Sequence, residues 1–426
     1  MSASHTGPFR PTLAPPHIFD STLALLVEMC RISSPSGDLD GLQRGMGLYG
    51  ERLADRGLEV ELRPHPVDGQ GELPVLVARG SAASRNETGL FLIGHMDTVL
   101  PAAAPEIRDG RLYGTGAVDM KGGLACFLGA VDLLQAEGRQ LPEDLTLVVV
   151  PDEEVAGPVC HEAMARYGAT ARALWVLEPG RPAADADHET GESETGASET
   201  IVQTRRGLTT WSLDVRGRGA HAGNGYWQGR SAAGGAAHWV QGALALARPG
   251  LGPTVNVGRI VAGERDFVEQ LGQNADLVHS GRQTNVVPDR AVVEGEMRFV
   301  TAEEGAALEK ELRALADAVA DRDELSLRFE IHKRVPPCPP SEPGQRLAQA
   351  AVQAARDRGW SLEVEADRGG ISFPNMLPDP AALPVLDGLG PVGGGMHTRE
   401  EFVELRSLDR RARLLADLLL ADLDRA

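Results

Sequence analysis

The sequence predicts an α/β fold: a mostly parallel sheet with helices on both faces, into which a second, ferredoxin-like domain is inserted. Three observations lead there. Apolar runs at 90–93, 145–150 and 173–177 are each too brief for a helix and are bounded by turn residues, so they read as buried strands. Helix-period patterns at 18–30, 42–56, 124–135 and 160–167 alternate with them, as expected where helices cover a parallel sheet. After Gly207 the order becomes strand 208–215, helix 231–247, strand 254–261, strand 291–300, helix 302–321 and strand 324–333. That is the split βαβ order of ferredoxin-like domains.

The helix beginning at 302 carries its own start signal. Thr301 can cap it while Glu304, three residues on, reaches back. The proline-rich stretch 336–340 then acts as a hinge, and helix 344–358, strand 361–365 and a final helix 409–423 return to the first pattern. The expected division is a catalytic domain of 1–206 plus 337–426 and an inserted dimerisation or lid domain of 207–336.

Composition excludes several function classes. The 426 residues include 42 Lys plus Arg against 61 Asp plus Glu, a formal charge of −19, which disfavours nucleic acid and anionic membrane surfaces as partners. With 42% hydrophobic and 24% charged residues, the chain can bury a core rather than remain disordered. No apolar run approaches the length of a membrane-spanning helix. Four cysteines without Cys-x-x-Cys spacing argue against a disulfide framework or thiolate zinc site, and a cytoplasmic setting is expected. The acidic stretch 183–200 reads as a solvated loop.

Polar chemistry follows each predicted strand of the first domain. Gly94-His95-Met96-Asp97 follows the first, Asp152-Glu153-Glu154 the second and Glu178 the third, and ligands of open α/β sheets gather at such strand ends. Together with Asp119 and His397, these residues offer imidazole nitrogen and carboxylate oxygen without thiolate. That donor set suits zinc, cobalt or manganese, and oxygen-rich sites of this kind often hold two ions.

Six ordered motifs carry a resemblance that spans nearly the whole chain. They are Gly94-His95-Met96-Asp97-Thr98-Val99, the segment from Gly114 to Gly123 containing Val118-Asp119-Met120-Lys121, Asp152-Glu153-Glu154, Leu177-Glu178-Pro179, Gly219-Ala220-His221-Ala222-Gly223 and Gly394-Gly395-Met396-His397-Thr398. The chain resembles the metal-dependent aminoacyl exopeptidases and deacylases: glutamate carboxypeptidase, acetylornithine deacetylase, succinyl-diaminopimelate desuccinylase and aminoacylase. Leu386-Asp387-Gly388-Leu389-Gly390-Pro391-Val392 is similar to the glutamate carboxypeptidase branch in particular.

The resemblance implies two zinc ions per chain, with cobalt or manganese as substitutes. His95 and Glu178 would hold one, Glu154 and His397 the other, and Asp119 would bridge them. It implies Glu153 as general base, Asp97 as acceptor for the second ring nitrogen of His95, and His221 as a donor to the scissile carbonyl across a homodimer interface. Asn285, Arg298, Arg334 and Gly370 occupy contexts matching the family's substrate contacts. The implied reaction is cleavage of an amide next to a free carboxylate, in an N-acyl amino acid or short peptide. A biosynthetic deacylase is the nearest alternative, and a non-catalytic binding protein on the same fold is a reading from another class.

The chain departs from the family at three places. Val155-Ala156-Gly157-Pro158 follows Asp152-Glu153-Glu154 where relatives usually carry a variable residue and then Gly-Ser. Phe373-Pro374 follows Gly369-Gly370-Ile371-Ser372 where relatives commonly carry Asp and a small residue, and Tyr226-Trp227 stands where they tend to have Pro-Glu. These aromatics are expected to line a pocket for a bulky acyl group. His161, His188, His238 and His279 match no motif and are expected to be structural or solvated, and Cys126 and Cys160 to be core residues.

Overall fold

The computed structural model describes residues 16–67, 71–80, 88–183, 198–271, 285–366 and 368–423. It divides into two compact units, one of Met1–Gln203, Pro340–Ala366 and Ser372–Ala426, the other of Thr204–Pro339 with Asp367–Ile371.

The first unit is built on a six-stranded sheet. Its parallel centre is Leu145–Val150 beside Gly89–His95 beside Ala171–Val176, with the short strand Val385–Leu386 beyond. Every residue of Leu145–Val150 is buried. Successive strand residues point to opposite faces, so unbroken burial means that both faces are covered. Leu145, Leu147 and Val149 alternate with Thr146, Val148 and Val150, and each large apolar side chain buried this way contributes about 1.5–3 kcal/mol.

The other edge of the sheet differs from the expectation. An antiparallel hairpin, Glu59–Val67 with Gly71–Arg79, adds two strands, the second running antiparallel to Leu145–Val150. Pro64 and Pro66 interrupt the apolar alternation and disguise Glu59–Val67 in the sequence. An edge strand tolerates them because one side of it needs no partner for its N–H groups.

Helices Pro16–Arg31, Leu39–Ala54, Lys121–Ala136, Pro158–Gly168, Glu342–Asp357 and Leu405–Leu423 complete this unit. The helix at Lys121 lies close to the sheet because of glycine. A Cβ on Gly123 would stand 1.9 Å from the Leu177 carbonyl oxygen, immediately before Glu178.

The second unit contains a four-stranded antiparallel sheet in the spatial order Thr254–Gly263, Arg290–Phe299, Gly207–Arg216, Ser326–Val335. Helices Ala232–Leu244 and Ala302–Asp323 fall between the strands in sequence. Alternate residues Trp211, Leu213 and Val215 point into a core they share with Trp239 and Phe329, the rings standing 5.1–5.9 Å apart. Thr301 caps the second helix by accepting the Glu304 N–H at 3.2 Å, while the Glu304 carboxylate accepts from Val300 rather than from the cap itself.

Residues 184–197 of the acidic stretch, with His188, and also His279 lie outside the described residues. Glu199 corrects the expectation for that stretch. It is buried at the start of strand Glu199–Val202 and pairs with Arg411, so the end of the run is core rather than solvated loop. All four cysteines are buried. Among the described residues, no helix is long and apolar enough to cross a membrane.

Candidate metal centre

The candidate ligands all belong to the first unit, and they converge on Asp119. His95 ends the strand Gly89–His95, with its imidazole 1% exposed. Its Nε2 lies 3.3 Å from Asp119 Oδ1 and 3.6 Å from Glu178 Oε1. The other oxygen of the same carboxylate, Asp119 Oδ2, lies 3.4 Å from His397 Nε2, which is 3.1 Å from Glu154 Oε2. One carboxylate therefore stands between two imidazoles, each with a further glutamate beside it.

His397 sits in the left-handed region at φ 64°. A left-handed backbone costs a non-glycine residue on the order of 1–3 kcal/mol and is found where surrounding structure over-determines it.

Asp97 is the hub behind the candidate ligands and is wholly buried. Its Oδ1 accepts the Glu153 N–H at 3.2 Å and its Oδ2 accepts the Glu154 N–H at 3.1 Å and the Ser36 hydroxyl at 2.8 Å. Toward His95 the expectation needs adjusting. Nδ1 is nearest the Asp97 main-chain oxygen at 2.9 Å, with the carboxylate at 3.3 Å. Either oxygen favours a proton on Nδ1 and leaves Nε2 directed at the other candidate ligands.

Electrostatics mark the cluster as short of positive charge. Burial disfavours the charged form of His95, but hydrogen bonds with Asp119 and Asp97 outweigh it and raise its pKa well above the usual imidazole range. The hydrogen bond to Asp119 likewise lifts His397 to about 9. Burial, reinforced by the charges of Asp119 and Glu153 and opposed by those of His95 and His397, pushes Glu154 up to about 8. Asp119 is held below the carboxylate range, because its hydrogen bonds to His397 and His95 overcome burial. Buried carboxylates that cling to protons and to protonated imidazoles are the setting that divalent cations relieve. His95, Asp119 and Glu154 place donor atoms within 4.8 Å of one another, as do His95, Glu153 and Glu178. The oxygen-and-imidazole donor set fits such ions.

The sequence matches Peptidase family M20/M25/M40 over residues 91–421. The chain belongs to this family. As an M20 member it is a metal-dependent hydrolase. It is 28% identical to a succinyl-diaminopimelate desuccinylase of Gluconacetobacter diazotrophicus, over 99% of each chain. It is 24% identical to carboxypeptidase G2 of a Pseudomonas species, over 93% of this chain and 89% of that one. Among solved structures, aminopeptidase PepT of Bacillus cereus shares the fold with a TM-score of 0.72 at 22% identity, covering 94% of this chain and 98% of that one. A Bacillus subtilis protein described as a dinuclear metal-binding peptidase of the M20 family aligns with a TM-score of 0.64 at 15% identity, over 97% of this chain and 100% of that one.

The remaining predicted residues of this M20 hydrolase fall in its second unit. His221 is exposed, and its Nδ1 accepts the N–H groups of Gly223 at 3.1 Å and Asn224 at 3.2 Å. Its proton therefore resides on Nε2, available for donation. Asn285 is exposed, and its main-chain oxygen accepts from Ala222. Arg298 pairs with Glu296 at 2.9 Å and also donates to the Gly369 oxygen, while Arg334 pairs with Glu309 at 2.8 Å. The Gly370 oxygen accepts from Arg205, a buried arginine that sequence reasoning passed over.

Phe373 corrects the pocket expectation. It is fully buried, its ring 6.2 Å from that of His95, so it packs behind a candidate ligand rather than forming an open wall. Tyr226 and Trp227 are exposed in the second unit, stacked edge to face at 5.0 Å. Asp152 also proves separate from its acidic neighbours. Its carboxylate accepts the N–H groups of Val159 and Cys160 at the start of helix Pro158–Gly168.

Proposed function

We propose that this chain is a dinuclear metal amidohydrolase that cleaves an amide bond adjacent to a free carboxylate. The observation that carries the reading is the Asp119 carboxylate, with one oxygen 3.3 Å from His95 and the other 3.4 Å from His397. In this reading His95 and Glu178 would hold one ion, Glu154 and His397 would hold the other, and Asp119 would serve both. Zinc is the metal proposed, with cobalt or manganese able to replace it. Bound there, a pair of divalent cations supplies Lewis acidity toward an amide carbonyl and acidifies water.

The chain's own residues do the rest. Glu153 takes a proton from the attacking water on its carboxylate and delivers it to the leaving nitrogen. Asp97 fixes Glu153 and Glu154 through their main-chain N–H groups and orients His95. The second unit is read as a ferredoxin-like insertion, supported by its strand order, and as the dimerisation element. His221 is read as donating its Nε2 proton to the scissile carbonyl in a partner subunit's site. Replacing His221 with Ala is then expected to lower kcat by about 10²–10³-fold, with metal content and sedimentation of the homodimer unchanged. A monomeric native chain with full activity would exclude this arrangement.

Arg298 and Arg334 are the proposed grips for the substrate carboxylate, with Asn285 and Gly370 beside them. A guanidinium meets a carboxylate through two parallel hydrogen bonds, so a substrate would take over the positions now held by Glu296 and Glu309. Two substrate classes fit. The relatives named succinyl-diaminopimelate desuccinylase support N-acyl amino acids, and the relative named carboxypeptidase supports peptides, with a terminal glutamate suggested by the resemblance of 386–392 to the glutamate carboxypeptidase branch.

The test is release of free amine from N-succinyl and N-acetyl amino acids and from C-terminal glutamate conjugates, with and without a chelator. Two ions per chain and cleavage that stops on chelation and returns with zinc are expected. Cleavage that survives complete metal removal would refute the reading, and the ranking of substrates decides between the two classes.

A further inference from the structure

We propose that Glu401 is a positioning residue of the metal centre, locking the turn that carries Asp119 to the loop that carries His397. This rests on the metal-centre reading above and extends it to a side chain outside every motif that suggested the centre.

Glu401 is a buried carboxylate, 4% exposed, with three main-chain donors converging on it. Its Oε2 accepts the Gly116 N–H at 2.9 Å, and its Oε1 accepts those of Val118 and Asp119, each at 3.0 Å. Its main-chain oxygen accepts a fourth, from Gly114, at 3.0 Å. Successive N–H groups that curl around an anion form a concavity, and here the anion is supplied by the chain itself. The next residues continue the same join, because strand Phe402–Glu404 pairs antiparallel with Arg111–Tyr113 just before the turn.

The consequence is geometric. Asp119 can touch two sites only if its carboxylate keeps its orientation between His95 and His397, and Glu401 holds the N–H of Asp119 itself. Four residues before Glu401 stands His397, in the left-handed backbone region and with its side chain half exposed, so it has little packing of its own to fix it. Three main-chain hydrogen bonds converging on one buried side chain suit a group whose task is to keep two loops in register.

The experiment compares the native chain with Glu401→Gln and Glu401→Ala. Each full-length protein is stripped of metal and titrated with Co²⁺, whose visible absorption reports the ligand field. The amide hydrogen exchange of peptides covering 114–121 is followed in the metal-free state. Loss of an outer partner of this kind lowers metal affinity about 10–100-fold. Alanine should show the full effect. Glutamine should show a smaller one, because its single oxygen still reaches Val118 and Asp119 while its amide group faces the Gly116 N–H.

The expected result is weaker and spectrally altered cobalt binding, with exchange accelerated in 114–121 and unchanged in the central sheet strands. Unchanged affinity and exchange in both variants would overturn the proposal. So would exchange accelerated throughout the unit, which would make Glu401 a general fold contact. If the native chain binds no cobalt, the metal-centre reading fails and this proposal falls with it, a result distinct from native binding that the variants retain.

Discussion

Glu153→Gln is expected to lower kcat by about 10²–10⁴-fold while the metal content stays at the native value. Glutamine keeps the size of the side chain and the main-chain N–H bond to Asp97 at 3.2 Å, so the turn has no reason to move. What it loses is the capacity to accept a proton. Geometry alone leaves a rival role open, because Glu153 groups with His95 and Glu178 as well as Glu154 does with His95 and Asp119. Metal analysis beside the kinetics separates them. A ligand would take metal with it when replaced, whereas a base would leave the ions in place and stop the chemistry. Full turnover by the glutamine variant would remove Glu153 from the mechanism and make water or another carboxylate the proton acceptor. Glu154→Gln provides the internal contrast, since Glu154 lies 3.1 Å from His397 and its loss should lower metal content.

The parts of this molecule that were legible in the sequence share a physical cause. Leu145–Val150 was readable because a strand buried on both faces is apolar at almost every position, here all but Thr146, and its observed bounds match the run read from the sequence. The helices and strands of the second unit were readable because Trp211, Leu213 and Val215 alternate and Thr301 announces a helix start. The hairpin at Glu59–Val67 was not, since its prolines and its exposed edge remove the periodicity by which strands are recognised.

The same contrast holds at the centre. The convergence of His95, Asp119, Glu154, Glu178 and His397 was foreshadowed by polar residues at the ends of apolar strands and by motifs of the resembling family. Glu401 and Ser36 were passed over because their work is done on main-chain N–H groups and on another carboxylate, and no side-chain spacing advertises that. One signal existed for Glu401: it lies four residues beyond His397, among charged neighbours, directly before the apolar Phe402-Val403. The burial of Phe373 had no such signal. Beside glycines and a proline an aromatic residue reads equally well as pocket wall or as packing, and only the tertiary neighbours decide.

Replacing Arg411 with Met is expected to destabilise the first unit by about 3–5 kcal/mol, the usual cost of breaking one side of a buried ion pair. Arg411 is inaccessible to solvent, and all three of its donor nitrogens are engaged: Nε with Glu199 at 2.8 Å, Nη1 with the Gly388 oxygen at 3.0 Å and Nη2 with the Thr200 oxygen at 2.8 Å. Methionine fills much of the volume but leaves a buried carboxylate with Arg410 at 3.2 Å and the Ser407 hydroxyl at 2.9 Å among its remaining partners, and it removes one donor from each of two carbonyls. Urea unfolding monitored on the full chain gives the shift. The double variant Glu199→Leu with Arg411→Met sharpens the argument, because it removes the stranded charge as well. If the cost of the single change is mainly an uncompensated anion, the double variant should recover a large part of it, though not all, since the donations to the Thr200 and Gly388 carbonyls are still lost. A single-variant loss below about 1 kcal/mol would mean that water reaches Glu199 when Arg411 is gone. In that case the junction between helix Leu405–Leu423 and strand Glu199–Val202 would be held by apolar packing, and the charges of the pair would contribute to register rather than to stability.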